Sequence, residues 1–347
     1  MERKGREFIV LVVLGLVMSL YMAYAQAAVT VPPESKPLIR QFYKKLNTCE
    51  NVEAFVRHQV TLHWKVEKNI TAKLLKLLYA DCMVNGCDGS ILLDGPQAEK
   101  NAPQIKGFGG YALIDTIKKV LEVRCPGAVS CADILMLATR DALQLAGAPS
   151  YPVFLGRRDG LESKASWVDL PSPSISWEQG LNYFQSKGLD LQDYVTLLGG
   201  HSMGRTHCKN IRDRLYNFKN TGKPDPSMDK TVLNSLRKQC PQTLKRGQHD
   251  PLVYLIPESG GQFKFTNSYY KNVLANKSVL GVDQQLSVGN DDTQQIVNDY
   301  ASSFEQFRRI FAFSISRMGG LRVLTGTKGE IRRNCRVPNK SHTNTIQ

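Results

Sequence analysis

A chain of 347 residues, 42% of them hydrophobic, is long enough to bury one large core or two small ones, which excludes global disorder. Its net charge of +14 suits an acidic partner, but the lysines and arginines are spread along the chain, which argues against nucleic acid. An anionic extracellular polysaccharide fits better, against the plainer reading of a soluble cationic surface.

Residues 1–28 read as a secretory signal peptide. Arg3, Lys4 and Arg6 precede an apolar run from Phe8 to Tyr21, and two small-x-small sites, Ala23-Tyr24-Ala25 and Ala25-Gln26-Ala27, put cleavage near 25–28. The run also approaches the roughly 20 residues that span a bilayer, so an uncleaved anchor is the competing reading. All eight cysteines lie beyond this segment, and an even number in an oxidising compartment predicts four disulfides. No C-x-x-C pair occurs, which argues against structural zinc. Glycosylation sequons begin at Asn69, Asn276 and Asn339.

From Leu38 the pattern turns helical, through Val52 to Trp64 and again from Thr71 to Tyr79, where Leu74, Leu75, Leu77 and Leu78 are apolar on more than one face. The periodicity breaks from Ala80 to Asp94. Tyr111 to Arg124 is amphipathic, and Ser130-x-x-Asp133 caps an apolar helix ending at Gly147. Tyr151 to Gly156 reads as a short strand, and Leu170-Pro171-Ser172-Pro173 cannot be helix interior. Helices resume at Trp177 to Ser186 and after His201; turns fall at Thr221 to Pro226 and Pro257 to Gly261. The last strong element is Ala301 to Met318, with Phe304, Phe307, Phe311, Ile315 and Met318 on one stripe and Gly319-Gly320 as its stop. With no repeat and no long linker, residues 29–347 form one domain of about ten helices, mainly α, with a disordered tail after about residue 339.

Two stretches carry chemistry. In VTLLGGHSMGRTHC an apolar run stops at Gly199-Gly200 and delivers His201; the missing Cβ atoms would let a flat group such as haem approach an imidazole. Gly200 to Gly204 also spells G-x-S-x-G, which would make Ser202 the nucleophile of a serine hydrolase. That reading needs a later acid and histidine; His207 is too close and His342 lies in the tail, leaving only His249. In the second stretch, DCMVNGCDGS, two carboxylates and a hydroxyl surround a tight turn that two cysteines can bridge, and such hard oxygen donors suit calcium. A solvated disulfide turn is the alternative.

The motifs LLKLLYADCMVNGCDGSILLD, RCPGAVSCADIL, GRRDG, DLPSPS, LLGGHSMGRTHC and GEIRRNCRVPN, in that order, resemble the secretory plant haem peroxidases, the class III family. The resemblance covers about Pro37 to Asn339. It implies a mainly α peroxidase fold with haem b between two halves, hydrogen peroxide as oxidant, phenolic donors oxidised one electron at a time, and a secreted, extracellular monomer. It makes His201 the axial iron ligand and Asp283 its hydrogen-bond partner. It pairs Cys49 with Cys125, Cys82 with Cys87, Cys131 with Cys335 and Cys208 with Cys240. It assigns a first calcium to Asp81, Val84, Gly86, Asp88 and Ser90, with Glu99 reaching it through water, and puts Pro171 beside the aromatic donor.

Two departures stand out. The family's distal Arg and, four residues later, its distal His fall at Lys76 and Ala80, and Ala80 cannot accept a proton. The asparagine that orients that histidine has no clear counterpart; the shortened segment Glu99 to Gly110 offers Gln104. Of the second calcium site only the hydroxyl of Ser202 is kept, since Tyr254 to Thr266 has no Asp and puts Lys264 where a ligand is expected, so one calcium is expected. The expectation is a peroxidase with weakened peroxide activation, or alternatively a haem-binding protein that has lost the chemistry.

Overall fold

The computed structural model describes residues 37–256 and 261–339. The expected signal, most of the 257–261 turn and the tail lie outside them. Among the described residues, ten helices of seven residues or more form two groups. The first holds α1 (Val52–Val66), α2 (Ile70–Val84), α3 (Tyr111–Arg124) and α4 (Cys131–Leu145). In α1, Val52, Val56 and Val60 form one buried stripe at four-residue spacing. In α4 every residue from Cys131 to Leu143 is buried, because the helix packs against α1, α2 and α3 at once. The second group holds α5 (Trp177–Ser186), α6 (Leu191–Leu198), α7 (Lys230–Gln239), α8 (Ser268–Leu274), α9 (Asp291–Ser302) and α10 (Phe304–Met318). Reciprocal capping boxes, Ser176 with Gln179 and Asp190 with Asp193, start α5 and α6. Helix α6 packs on α9 and α10, and α10 also touches α2, which joins the groups.

Among the described residues the strands form two antiparallel pairs. β1 (Ile39–Arg40) pairs with β2 (Phe154–Leu155), and β3 (Arg205–His207) with β4 (Leu252–Tyr254). The mainly α class therefore holds, and all four cysteine pairings expected from the resemblance are formed. Several boundaries differ from the sequence reading. The pattern after Leu38 opens as β1, and helix begins only at Phe42. After His201 the chain makes a 3-10 turn and β3, because Gly204 at φ 100° turns it into a strand; α-helix resumes only at Arg212. The Ala301–Met318 element is two helices, since Ser303 is extended and its side chain caps α10 through the Gln306 amide.

The chain ends are tied to the middle by Asp159 of the GRRDG motif. Its carboxylate accepts hydrogen bonds from the Cys131 and Ala132 amides at the start of α4 (3.1 and 2.9 Å) and from the Arg332 amide (2.9 Å). The negative charge thus sits on the positive end of the central helix. The buried Arg332 guanidinium spans the carbonyls of Gly89 (2.5 Å) and Cys335 (2.8 Å), locking the C-terminal segment onto the loop at 81–90. Asp159→Ala removes the acceptor while leaving Arg332 buried, so it should cost about 3–5 kcal/mol. Urea unfolding with disulfides intact measures this, and a loss below about 1 kcal/mol would show that the carboxylate is dispensable.

Candidate active site and calcium loop

Helix α6 ends at Leu198, and a 3-10 turn over Gly199–Ser202 carries His201. Asp283 sits on the short helix Gly281–Gln284. The two meet, with His201 Nδ1 2.8 Å from Asp283 Oδ1. An ionised carboxylate can only accept, so Nδ1 holds the proton and Nε2 presents its lone pair. The His201 side chain is 34% exposed and that of Asp283 3%, so one ring nitrogen is fixed in the protein and the other is left accessible. This is the donor arrangement of a histidine that ligates iron, so the residues present fit a haem.

The paired glycines admit close protein neighbours. A Cβ on Gly199 would meet the Tyr270 hydroxyl and the Phe307 ring, and one on Gly200 would meet Leu75 of α2 at 2.9 Å. The missing methyls make room for side chains of α8, α10 and α2, which bring the two helix groups together at His201. Ser202 is fully buried, and its Oγ has no hydrogen-bond partner. Among the described residues no histidine hydrogen-bonds it, which argues against the serine-hydrolase reading.

On α2, Lys76 and Ala80 are one turn apart. Ala80 is fully buried and brings no titratable group. The Lys76 Nζ lies 4.4 Å from the centroid of the Phe108 ring, a cation–π contact. Crowding by surrounding protein and the charge of Lys209 draw the Lys76 ammonium below its usual range, while solvent at the exposed side chain opposes that. Gln104 is exposed and makes no hydrogen bond among the described residues, so it does not take the orienting role. Pro171 is half-buried in the loop whose Pro173 carbonyl accepts from the Val282 amide (2.8 Å), which sets it beside the helix of Asp283.

Two residues at the site escaped the sequence reading. Phe108 lies between Gly107 and Gly109-Gly110, and a lone aromatic among glycines was its only signal. The Tyr269 hydroxyl donates to Asp283 Oδ1 at 3.0 Å, and nothing in the sequence marks it.

At the end of α2, Asp81 accepts from the Gly89 amide (3.0 Å) and the Ile91 amide (3.4 Å), and Asp88 from the Ser90 amide (2.9 Å). Asp88 fills the space at Gly160 where any Cβ would clash. The Ser90 Oγ and both Glu99 carboxylate oxygens are buried with no hydrogen-bond partner. Burial raises the carboxyls of Asp81 and Asp88, reinforced at Asp81 by the charges of Asp88 and Glu99 and at Asp88 by that of Asp159, and burial pushes Glu99 up to about 7. Oxygens left bare beside like charges fit a hard cation, which would satisfy the first and neutralise the second. No three His, Cys, Asp or Glu side chains close on one point among the described residues, so carbonyls and Ser90 must complete the set. A cavity of about 610 Å³ lined by Glu53, Arg57 and His58 includes none of these residues.

These carboxyls give a pH prediction. Their folded values lie above their unfolded ones, so without metal their contribution is full at low pH and lost as pH rises. For Glu99, from 4.5 to about 7, that amounts to about 3 kcal/mol. In EDTA the thermal midpoint should fall between pH 5 and pH 8; calcium should remove the fall, and Glu99→Gln should flatten it. Identical midpoints with calcium and with EDTA at pH 8 would contradict a cation in this loop.

A peroxidase family model matches residues 52–303. Two proteins of Arabidopsis thaliana, probable peroxidase 26 and probable peroxidase 61, are each 59% identical to this chain. The first alignment covers 95% of this chain and 97% of the relative, the second 91% and 93%. The lignin-forming anionic peroxidase of Nicotiana tabacum is 41% identical over 84% of this chain and 90% of its own. The chain belongs to the class III plant peroxidase family. It is thus a peroxidase, an oxidoreductase that uses hydrogen peroxide, in a family that carries haem and calcium, acts on phenolic donors and is secreted.

Proposed function

We propose that this chain is a secreted, extracellular peroxidase that holds haem b through His201, oxidises small phenolic donors, and activates hydrogen peroxide slowly for its family. The observation that carries the reading is the 2.8 Å contact between His201 Nδ1 and the buried Asp283. Bound there, haem would supply the iron at which peroxide is reduced and to which a phenol returns electrons singly. The chain's own residues do the rest. Asp283 holds the imidazole proton on Nδ1 and keeps Nε2 a strong donor. Pro171 borders the donor's approach. Asp81, Val84, Gly86, Asp88 and Ser90 hold one calcium at the end of α2; that cation anchors the helix bearing Lys76 and Ala80. The buried, unpartnered Ser202 Oγ is what is left of a second calcium position, and Lys264 is exposed in the segment where an acidic ligand is missing.

The weakness lies opposite His201. Moving a proton between the two peroxide oxygens needs a base that Ala80 does not provide, and positioned acid–base help accounts for about 10²- to 10⁴-fold. Lys76 keeps a positive charge without the planar fork, and a lost preorganised donor costs about 10²- to 10³-fold. The two losses do not multiply, because the groups act together.

Residues 29–347 form the mature monomer, released by cleavage near 25–28; among the described residues no helix is long and apolar enough to cross a membrane. Its positive charge suits an anionic cell-wall polysaccharide. Asn69, Asn276 and Asn339 are the glycan acceptors. Asn339 is exposed, and its amide nitrogen donates to the Ile331 carbonyl (2.8 Å), a bond that a glycan there would disturb.

Stopped-flow mixing of the haem-loaded protein with stoichiometric peroxide tests the reading. The natural chain should react slowly, and Ala80→His with Lys76→Arg should speed it by at least about 10²-fold. A chain that binds haem yet never reacts with peroxide would favour a haem-binding role; an unmodified chain as fast as its histidine-bearing relatives would contradict the weakened step.

A further inference from the structure

The Asp283 carboxylate does not serve His201 alone. Tyr269, on α8, donates its hydroxyl to the same oxygen, Oδ1, at 3.0 Å, beside the 2.8 Å contact from His201 Nδ1. The two rings meet edge to face with centroids 6.3 Å apart. Tyr269 is 3% exposed and Asp283 2%, so water does not compete for that oxygen. An ionised carboxylate oxygen can only accept, so in this contact the Tyr269 hydroxyl is the donor. The adjacent Tyr270 is bound elsewhere, its hydroxyl donating to the Val195 carbonyl at 2.9 Å.

We infer that Tyr269 is a positioning residue that sets how much negative charge Asp283 lends to His201, and through it the reduction potential of the iron; this rests on the haem reading proposed above. The physical reason is competition. A carboxylate oxygen that accepts one charge-assisted hydrogen bond concentrates its charge on that donor; a second donor on the same lone-pair region draws part of it away. With Tyr269 in place the imidazole is less imidazolate-like, and the ferric iron is less strongly favoured over the ferrous. Hydrogen bonding to the groups behind an axial ligand is one of the levers a protein has over haem potential. In a protein whose opposite wall lacks a base, this is a control that still acts on the iron.

The test is made on the full, haem-loaded chain by two readouts other than turnover: the ferric/ferrous midpoint potential and the iron–histidine stretch of the ferrous form by resonance Raman. Tyr269→Phe keeps the ring and removes the donor, so the potential should fall and the stretch should rise. Difluorotyrosine at 269 keeps the shape and strengthens the donor, so both should move the opposite way; this arm holds even if the phenylalanine variant folds poorly. In an Asp283→Asn background, Tyr269→Phe should leave both nearly unchanged. Unaltered potential and stretch in both Tyr269 variants, or the same shifts in the Asp283→Asn background, would overturn the inference and leave Tyr269 a packing residue. Failure of the unmodified chain to take up haem would instead defeat the proposed function.

Discussion

The hydrogen bond between His201 and Asp283 closes a loop of 82 residues and is the point at which the second helix group acquires its chemistry. An imidazole left to itself has two equivalent choices of tautomer; a buried carboxylate on one nitrogen removes the choice and orients the ring. The surrounding architecture keeps that pair in register. Gly199 lets Tyr270 and Phe307 close on the turn from behind, while Gly200 brings Leu75 of α2 against it from the other group. A larger residue at either glycine would push apart the elements that fix the histidine.

The opposite side depends on a second device. Helix α2 bears both Lys76 and Ala80 and runs directly into the loop of buried carboxylates, whose bare oxygens call for a cation. Arg332 reaches that loop from the C-terminal end, and Asp159 connects Arg332 to the start of α4. Sequence motifs far apart therefore converge on one knot of charge and backbone, and the position of α2 follows from it. The scaffold of the distal wall is maintained even though the groups it normally presents are replaced.

The sequence carried the fold well where local chemistry was strong. The Ser130 cap, the apolar run of α2 and the stop at Gly319-Gly320 all lie where the residues placed them. Helices α7 and α9 were missed because their buried stripes, Val232, Leu233 and Leu236 in one and Val297 and Tyr300 in the other, are short and set among polar residues. The site was legible only in part for a related reason. His201 and the carboxylate loop have neighbours in sequence that advertise them. The Phe108 contact to Lys76 and the Tyr269 bond to Asp283 arise between segments with no pattern linking them, so only the assembled chain reveals them. The glycine pair was plain in the sequence, whereas the side chains packed against it, Tyr270, Phe307 and Leu75, come from three distant helices.

The most direct test of the central claim, that His201 binds the iron with its free ring nitrogen, is the ferrous iron–nitrogen stretch of the haem-loaded protein grown with 15N-labelled histidine. The account predicts an isotope-sensitive band that disappears in His201→Gly and returns when imidazole is added. A band that persists in His201→Gly without imidazole would contradict it.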